Sequence, residues 1–201
     1  MWGKQKIIVP VEVSARHCHL SKEDLEKLFG VGYELQKLKQ LSQPSDFACQ
    51  ETVDIQVGLN KIEKVRVVGP IRSQTQVEIS LTDAVGLKFM PPVRLSGNLK
   101  DSASVILYGP AGKVELAEGL IVAKRHIHCS TRESAKLGLK NGDKVNVAVG
   151  EDRKVVFENV VVRVKDDYKF CMHIDTDEGN SAGINKTGER QWGKSEKYSH
   201  G

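Results

Sequence analysis

The chain has 201 residues, 39% hydrophobic and 28% charged, with a formal net charge of +4. These values belong to a folded globular protein, not a disordered one. The mild positive charge suits an anionic small substrate and falls short of the basic stripe of a nucleic-acid binder. No apolar run approaches the roughly 18 residues of a membrane span, so neither nucleic acid nor membrane is an expected partner.

The N-terminus, Met1-Trp2-Gly3-Lys4-Gln5-Lys6, leads into Ile7-Ile8-Val9, an apolar run too short for a signal peptide. A cytoplasmic location is therefore expected. Alternating, β-branched stretches predict strands over 7–14, 51–57, 63–68, 75–81, 104–108, 113–116, 120–128, 144–149, 154–164 and 169–175. Gly, Asn and Asp punctuate them, as at Gly58-Leu59-Asn60 and Asn141-Gly142-Asp143. Helix signals are few. Ser21-Lys22-Glu23-Asp24 opens a helix through Leu25, Leu28 and Phe29, and Ser130-Thr131-Arg132-Glu133 opens another through Ala135 and Leu137, ended by Gly138. Many short strands with tight turns point to barrels or sandwiches.

The chain repeats itself. Val13-Ser14-Ala15-Arg16-His17-Cys18-His19 and Val122-Ala123-Lys124-Arg125-His126-Ile127-His128 both read V-x-x-R-H-x-H, and each precedes one of the two helices. Asp54–Gly58 resembles Asn146–Gly150, Lys64–Val68 resembles Asn159–Val164, and Gln76–Asp83 lines up with Cys171–Asp177. The first copy carries a longer loop at about 32–50. Pro91-Pro92 interrupts any regular element and suggests a break. The expected fold is mainly β: two similar small β-barrel domains with short helices, residues 1–90 and 91–188, followed by a loosely ordered polar tail at 189–201.

Histidine is scarce in this chain, with six in all, and four of them form the two H-x-H pairs. Alternate residues of a strand share a face about 6–7 Å apart, so each pair can grip one metal ion from one side. The repeat adds a third ligand to each: His17, His19 and Glu78 in the first copy, His126, His128 and His173 in the second. Two histidines with a third N or O ligand and an open fourth position is the pattern of catalytic zinc; cobalt or iron suits the same donors. Arg72, on the approach to Glu78, would clamp an anion held there. Asp175, Asp177 and Glu178 could accept from ligand N–H groups or solvate a loop; the sequence leaves the role of Arg16 and Arg125 open, with packing or pairing to Asp/Glu the favoured reading. Cys18, Cys49, Cys129 and Cys171 show no C-x-x-C spacing and are expected as free thiols, with Cys18 pointing away from its flanking histidines.

The motifs S-A-R-H-C-H-L-S (14–21), G-P-x-R-x-x-T-Q-V-E-I-S (69–80), K-R-H-I-H (124–128) and M-H-I-D-T-D-E-G-N (172–180) closely resemble the PduL-type phosphotransacylases, or phosphate propanoyltransferases, over about residues 6–188. The resemblance implies two β-barrel domains, a two-zinc active site between them, and the reaction acyl-CoA + phosphate ⇌ acyl phosphate + CoA. It carries the zinc ligands onto His17, His19 and Glu78, and onto His126, His128 and His173. It carries the phosphate-binding arginine onto Arg72 and coenzyme A contacts onto Ser14, Lys39, Arg66 and Asn180. The implied partners are coenzyme A, a short acyl-CoA (propanoyl or acetyl), inorganic phosphate and acyl phosphate; a homo-oligomer is compatible with the sequence. Family members packaged in bacterial microcompartments for propanediol degradation carry an amphipathic segment ahead of the first strand, which this sequence lacks. A cytosolic relative serving acetate metabolism, or a trimmed chain, would account for that. Two rival readings stand beside this one: a two-metal thioester or phosphoester hydrolase, and a zinc-stabilised binding module without turnover.

Overall fold

The computed structural model describes residues 7–184 and 191–196. In chain order the first elements are β1 (Ile7–Val13), β2 (His17–His19), α1 (Lys22–Phe29), β3 (Lys37–Gln40), β4 (Phe47–Val57), β5 (Asn60–Gly69), β6 (Gln76–Ile79) and α2 (Leu81–Gly86). There follow β7 (Val93–Arg94), β8 (Ala103–Tyr108), β9 (Lys113–Ala123), β10 (His126–Cys129) and α3 (Thr131–Leu137). The last are β11 (Lys144–Val149), β12 (Val155–Val164), β13 (Cys171–Ile174), α4 (Thr176–Ser181) and β14 (Gln191–Glu196). The fold is mainly β, as expected, in two units: a central one over 15–124, and a terminal one from the described parts of 1–14 and 125–201.

The terminal unit is a closed barrel in the order β1-β13-β10-β12-β11-β14. In the central unit the sheet runs β3-β4-β5-β2-β6-β9-β7, and β8 pairs with both β4 and β9. Strands β4, β5, β2, β6, β9 and β8 therefore make a second ring of pairings with the same topology, and β3 and β7 are additions to it. Corresponding pairs keep corresponding register. His17 faces Glu78 across β2 and β6, and His126 faces His173 across β10 and β13.

The domain division differs from the expected one, because the first strand of each repeat is exchanged. β1 runs parallel to β13, a strand of the second repeat, with Val11 opposite Met172. β9, which opens the second repeat, runs parallel to β6 of the first, with Val77 opposite Leu120. The Pro91-Pro92 interruption thus falls inside the central unit, where the next two residues form the short β7 beside β9. Part of the expected tail is also structural: Gln191–Glu196 form β14, paired with β1 and β11. The rest of the expected tail (189–190 and 197–201), residues 185–188 and the N-terminal stretch 1–6 lie outside the described residues.

Each ring has its own core, built by period-two alternation. In the terminal unit Val9, Val11 and Val13 of β1 meet Val145, Val147 and Val149 of β11. In the central unit Val53 and Ile55 of β4 join Val65, Val67, Val77, Leu120 and Val122. Helix α1 adds Leu25 and Leu28, an i, i+3 pair buried on one face; full burial of such a side chain contributes roughly 1.5–3 kcal/mol. The Leu28 carbonyl accepts the Ala111 N–H, and a Cβ on the neighbouring Gly109 would lie 2.4 Å from that oxygen. Only glycine allows the turn to approach so closely.

Helices α1 and α3 start where expected. Ser21 and Ser130 accept N–H bonds from Asp24 and Glu133, and Gly138 closes α3 in the left-handed conformation at φ 65°. The helices α2 and α4 were not anticipated. Both start with capping boxes, Ser80 with Asp83 and Asp175 with Glu178, so an S/D-x-x-D/E pattern marked them in the sequence. The expected strands 113–116 and 120–128 are one long strand, β9, followed by β10. The expected loop at 32–50 holds β3 and the start of β4.

Candidate active site

Alternation decides which side chains leave the core. Cys18 and Val77 belong to the central core, so His17, His19, Gln76 and Glu78 project from the opposite face of the ring. The ring nitrogens are committed. His17 Nδ1 lies 2.9 Å from the Ala15 carbonyl, and His19 Nδ1 lies 2.7 Å from that of Val68. A carbonyl only accepts, so both Nδ1 atoms carry a proton, and in the neutral ring Nε2 is then the atom with the lone pair. Those Nε2 atoms lie 3.7 and 4.0 Å from Glu78 Oε1, and the imidazoles stand edge to face at 5.0 Å.

Burial, then the adjacent His17, then the Arg72 guanidinium push the His19 pKa down to about 3, against the pull of Glu78 and the Val68 carbonyl. A neutral imidazole is the form that binds metal.

The terminal unit repeats this arrangement with one change. His126 and His128 on β10 and His173 on β13 offer ligand atoms all within 4.8 Å of one another. Ring centroids are 4.6 Å apart for His126 and His128, 5.5 Å for His126 and His173, and 4.8 Å for His128 and His173. Tyr168 lies against His128 at 4.2 Å. Both expected triads are therefore assembled, each within one unit.

The donor chemistry suits a zinc-like ion. A tetrahedral ion with bonds of 2.0–2.1 Å sets its donors about 3.4 Å apart, a few tenths of an ångström inside the separations around Glu78. His17, His19 and Glu78 would hold one ion, and His126, His128 and His173 another.

Sequence reasoning missed four neighbours. Gln76 donates to Glu78 Oε1 at 2.6 Å, and Ser96 lies beyond it. Glu12, the register partner of His173, and Cys171 form a further group of potential ligands with His173, again within 4.8 Å. The alternation of β6 and β13 points to Gln76 and Cys171, whereas the exchange that brings β1 and Glu12 beside His173 has no sequence signal.

Arg72 follows a turn with a cis Gly69–Pro70 bond. Its N–H donates to the Leu20 carbonyl at 2.9 Å, and its Nη1 to Ser96 Oγ at 3.0 Å. Arg16 and Arg125 are held in ion pairs, with Asp83 and Glu178 respectively, both at 2.6 Å. Asp175 and Glu178 serve the cap of α4.

The residues expected to contact coenzyme A divide between the units. Arg66, register partner of His17, donates to the Cys49 and Gln50 carbonyls, and Lys39 is exposed on β3. In the terminal unit the Ser14 N–H donates to Ile174, and Asn180 is exposed on α4. All four cysteines are buried thiols outside any disulfide. Burial pushes the Cys18 thiol far above its ordinary range and those of Cys49 and Cys129 to about 11. No helix of the described residues is long and apolar enough to cross a membrane.

The profile of the phosphate propanoyltransferase family matches residues 10–185. A phosphate propanoyltransferase of Lachnoclostridium phytofermentans is 50% identical over 184 residues, covering 90% of this chain and 85% of the relative. Another from Thermotoga maritima is 48% identical over 176 residues, 87% and 84% of the two chains. One from Priestia megaterium is 50% identical over 186 residues, 92% and 85%.

Proposed function

Since the chain belongs to the phosphate propanoyltransferase family, a family of acyltransferases, we propose that it interconverts a short acyl-CoA and phosphate with acyl phosphate and CoA, using two bound zinc ions. A phosphate oxygen attacks the thioester carbonyl, the new C–O bond forms, the C–S bond breaks, and the proton of hydrogenphosphate ends on the CoA thiol. The observation that carries this reading is the pair of register-matched triads, His17/His19/Glu78 and His126/His128/His173.

When bound, the zinc ions would supply positive charge and open coordination positions for a thiolate sulfur and for phosphate oxygens. The rest falls to the protein. Arg72, whose backbone is pinned to Leu20, presents a guanidinium that binds and orients phosphate. The Nδ1 bonds of His17 and His19 fix the tautomer of each neutral ring, so that Nε2 is the atom offered to a metal. Ser14, Lys39, Arg66 and Asn180 are the proposed contacts to coenzyme A. The core position of Cys18 speaks against an acyl-cysteine there and supports direct transfer.

The propanoyl group named for the relatives is the proposed substrate, with acetyl the nearest competitor. Metal analysis combined with thiol release from C2–C4 acyl-CoAs, with and without phosphate, tests the proposal. Zinc in the protein and release that needs phosphate support it. Release that ignores phosphate would point to a hydrolase instead.

A further inference from the structure

Glu78 and Arg72 are joined by an unbroken chain of hydrogen bonds through two side chains with no role in the reading above. Gln76 is buried and its amide is fully used. Nε2 donates to Glu78 Oε1 at 2.6 Å and to Ser96 Oγ at 2.7 Å, while Oε1 accepts the Gly97 N–H at 2.9 Å. A backbone N–H can only donate and a carboxylate can only accept, so the amide has one workable orientation. Ser96 Oγ accepts a second bond from Arg72 Nη1 at 3.0 Å. With both lone pairs engaged, the hydroxyl can act toward a substrate only as a donor, which is what an anionic oxygen beside Arg72 requires.

We propose that Ser96 is a further phosphate-binding residue and that Gln76 is the positioning residue tying it to the metal ligand Glu78. This rests on the assignment of phosphate to Arg72 made above. The oxygen that Gln76 holds, Glu78 Oε1, is the one nearest His17 and His19, so the bond sets the ligand atom itself. The relay belongs to this triad alone: Gln76 lies opposite His19, and the corresponding place opposite His128 is taken by Cys171. Phosphate at Arg72 and Ser96 should therefore stiffen the triad on Glu78. By reciprocity, the metal there should tighten phosphate binding.

The test uses the zinc-loaded full chain with phosphate as the probe. Ser96→Ala should raise the KM for phosphate about tenfold, the loss of one hydrogen bond to a charged group, with the KM for acyl-CoA and the zinc content unchanged. Ser96→Thr, which keeps the hydroxyl, should restore it. Gln76→Ala should weaken zinc at one of the two sites about 10–100-fold in chelator competition. Phosphate should slow zinc loss from the wild type but not from Ser96→Ala. Should Gln76→Ala fail to fold, Gln76→Glu, which sets a second carboxylate against Glu78, should weaken zinc in the same assay. A normal phosphate KM in Ser96→Ala beside a raised one in Arg72→Ala overturns the relay alone. Normal values in both overturn the assignment of Arg72 with it.

Discussion

Arg125 Nη1 lies 2.6 Å from Glu178 Oε1, immediately before one histidine pair and at the third residue of the helix that follows His173. Arg16 and Asp83 stand in the same relation in the central unit. Each pair ties the start of an H-x-H strand to the helix after the third ligand, so the ion pairs brace the triads from outside.

The two braces should differ in strength. Burial raises the Glu178 pKa, and Arg125 pulls it back. Arg125 also donates twice to the Glu158 carbonyl, whereas Arg16 is half exposed. Arg125→Gln should cost about 1–3 kcal/mol in urea unfolding, and Arg16→Gln about 0–1 kcal/mol. A protonated Glu178 needs no cation, so the Arg125→Gln penalty should shrink as pH falls through the raised pKa. A penalty independent of pH would place the loss in packing instead.

His19 makes the opposite demand on pH. Its folded pKa of about 3 lies below the roughly 6.5 of an unfolded histidine, so between those values the unfolded chain binds the extra proton. Stability of the metal-free protein should therefore fall as pH drops below about 6.5, at up to about tenfold in the unfolding equilibrium per pH unit, and level off near 3. His19→Asn should flatten this slope in urea titrations at pH 4, 5, 6 and 7. An equal slope in wild type and variant would refute it.

Much of this was legible in the sequence. The H-x-H pairs, the third ligands and the two serine-capped helices follow from short-range periodicity and from the repeat. The unit boundaries did not, because strand exchange is a tertiary choice: β1 and β9 carry the same alternation whichever ring accepts them. Gln191–Glu196 read as polar tail because Gln-Trp-Gly-Lys-Ser-Glu has no apolar alternation to announce a strand. Glu12 went unnoticed for the same reason as the boundary, since only the pairing of β1 with β13 sets it beside His173.

The exchange can be tested at Val11, six residues before His17 but in the core of the other unit. Val11→Asp buries an unpaired charge there, at a cost of several kcal/mol. Zinc should leave the site formed by His126, His128 and His173 first, and the site containing Glu78 should keep its metal. Chelator titration of His17→Ala and His126→Ala variants, each carrying Val11→Asp, assigns the loss. Loss of the Glu78 site instead would contradict the pairing.

Cys18 offers a check on direct transfer. Its side chain is fully buried and its thiol is held protonated by burial, so Cys18→Ala should retain turnover within a few-fold and cost about 1 kcal/mol of stability. Complete loss of thiol release from a folded, zinc-loaded variant would revive a covalent acyl-cysteine.

The most direct test of the account is 31P NMR of the zinc-loaded protein mixed with propanoyl-CoA and inorganic phosphate. The predicted result is one acyl phosphate formed for each thiol released, with formation abolished by a chelator and restored by zinc. Thiol release accompanied by free propanoate, with the phosphate signal unchanged, would contradict it.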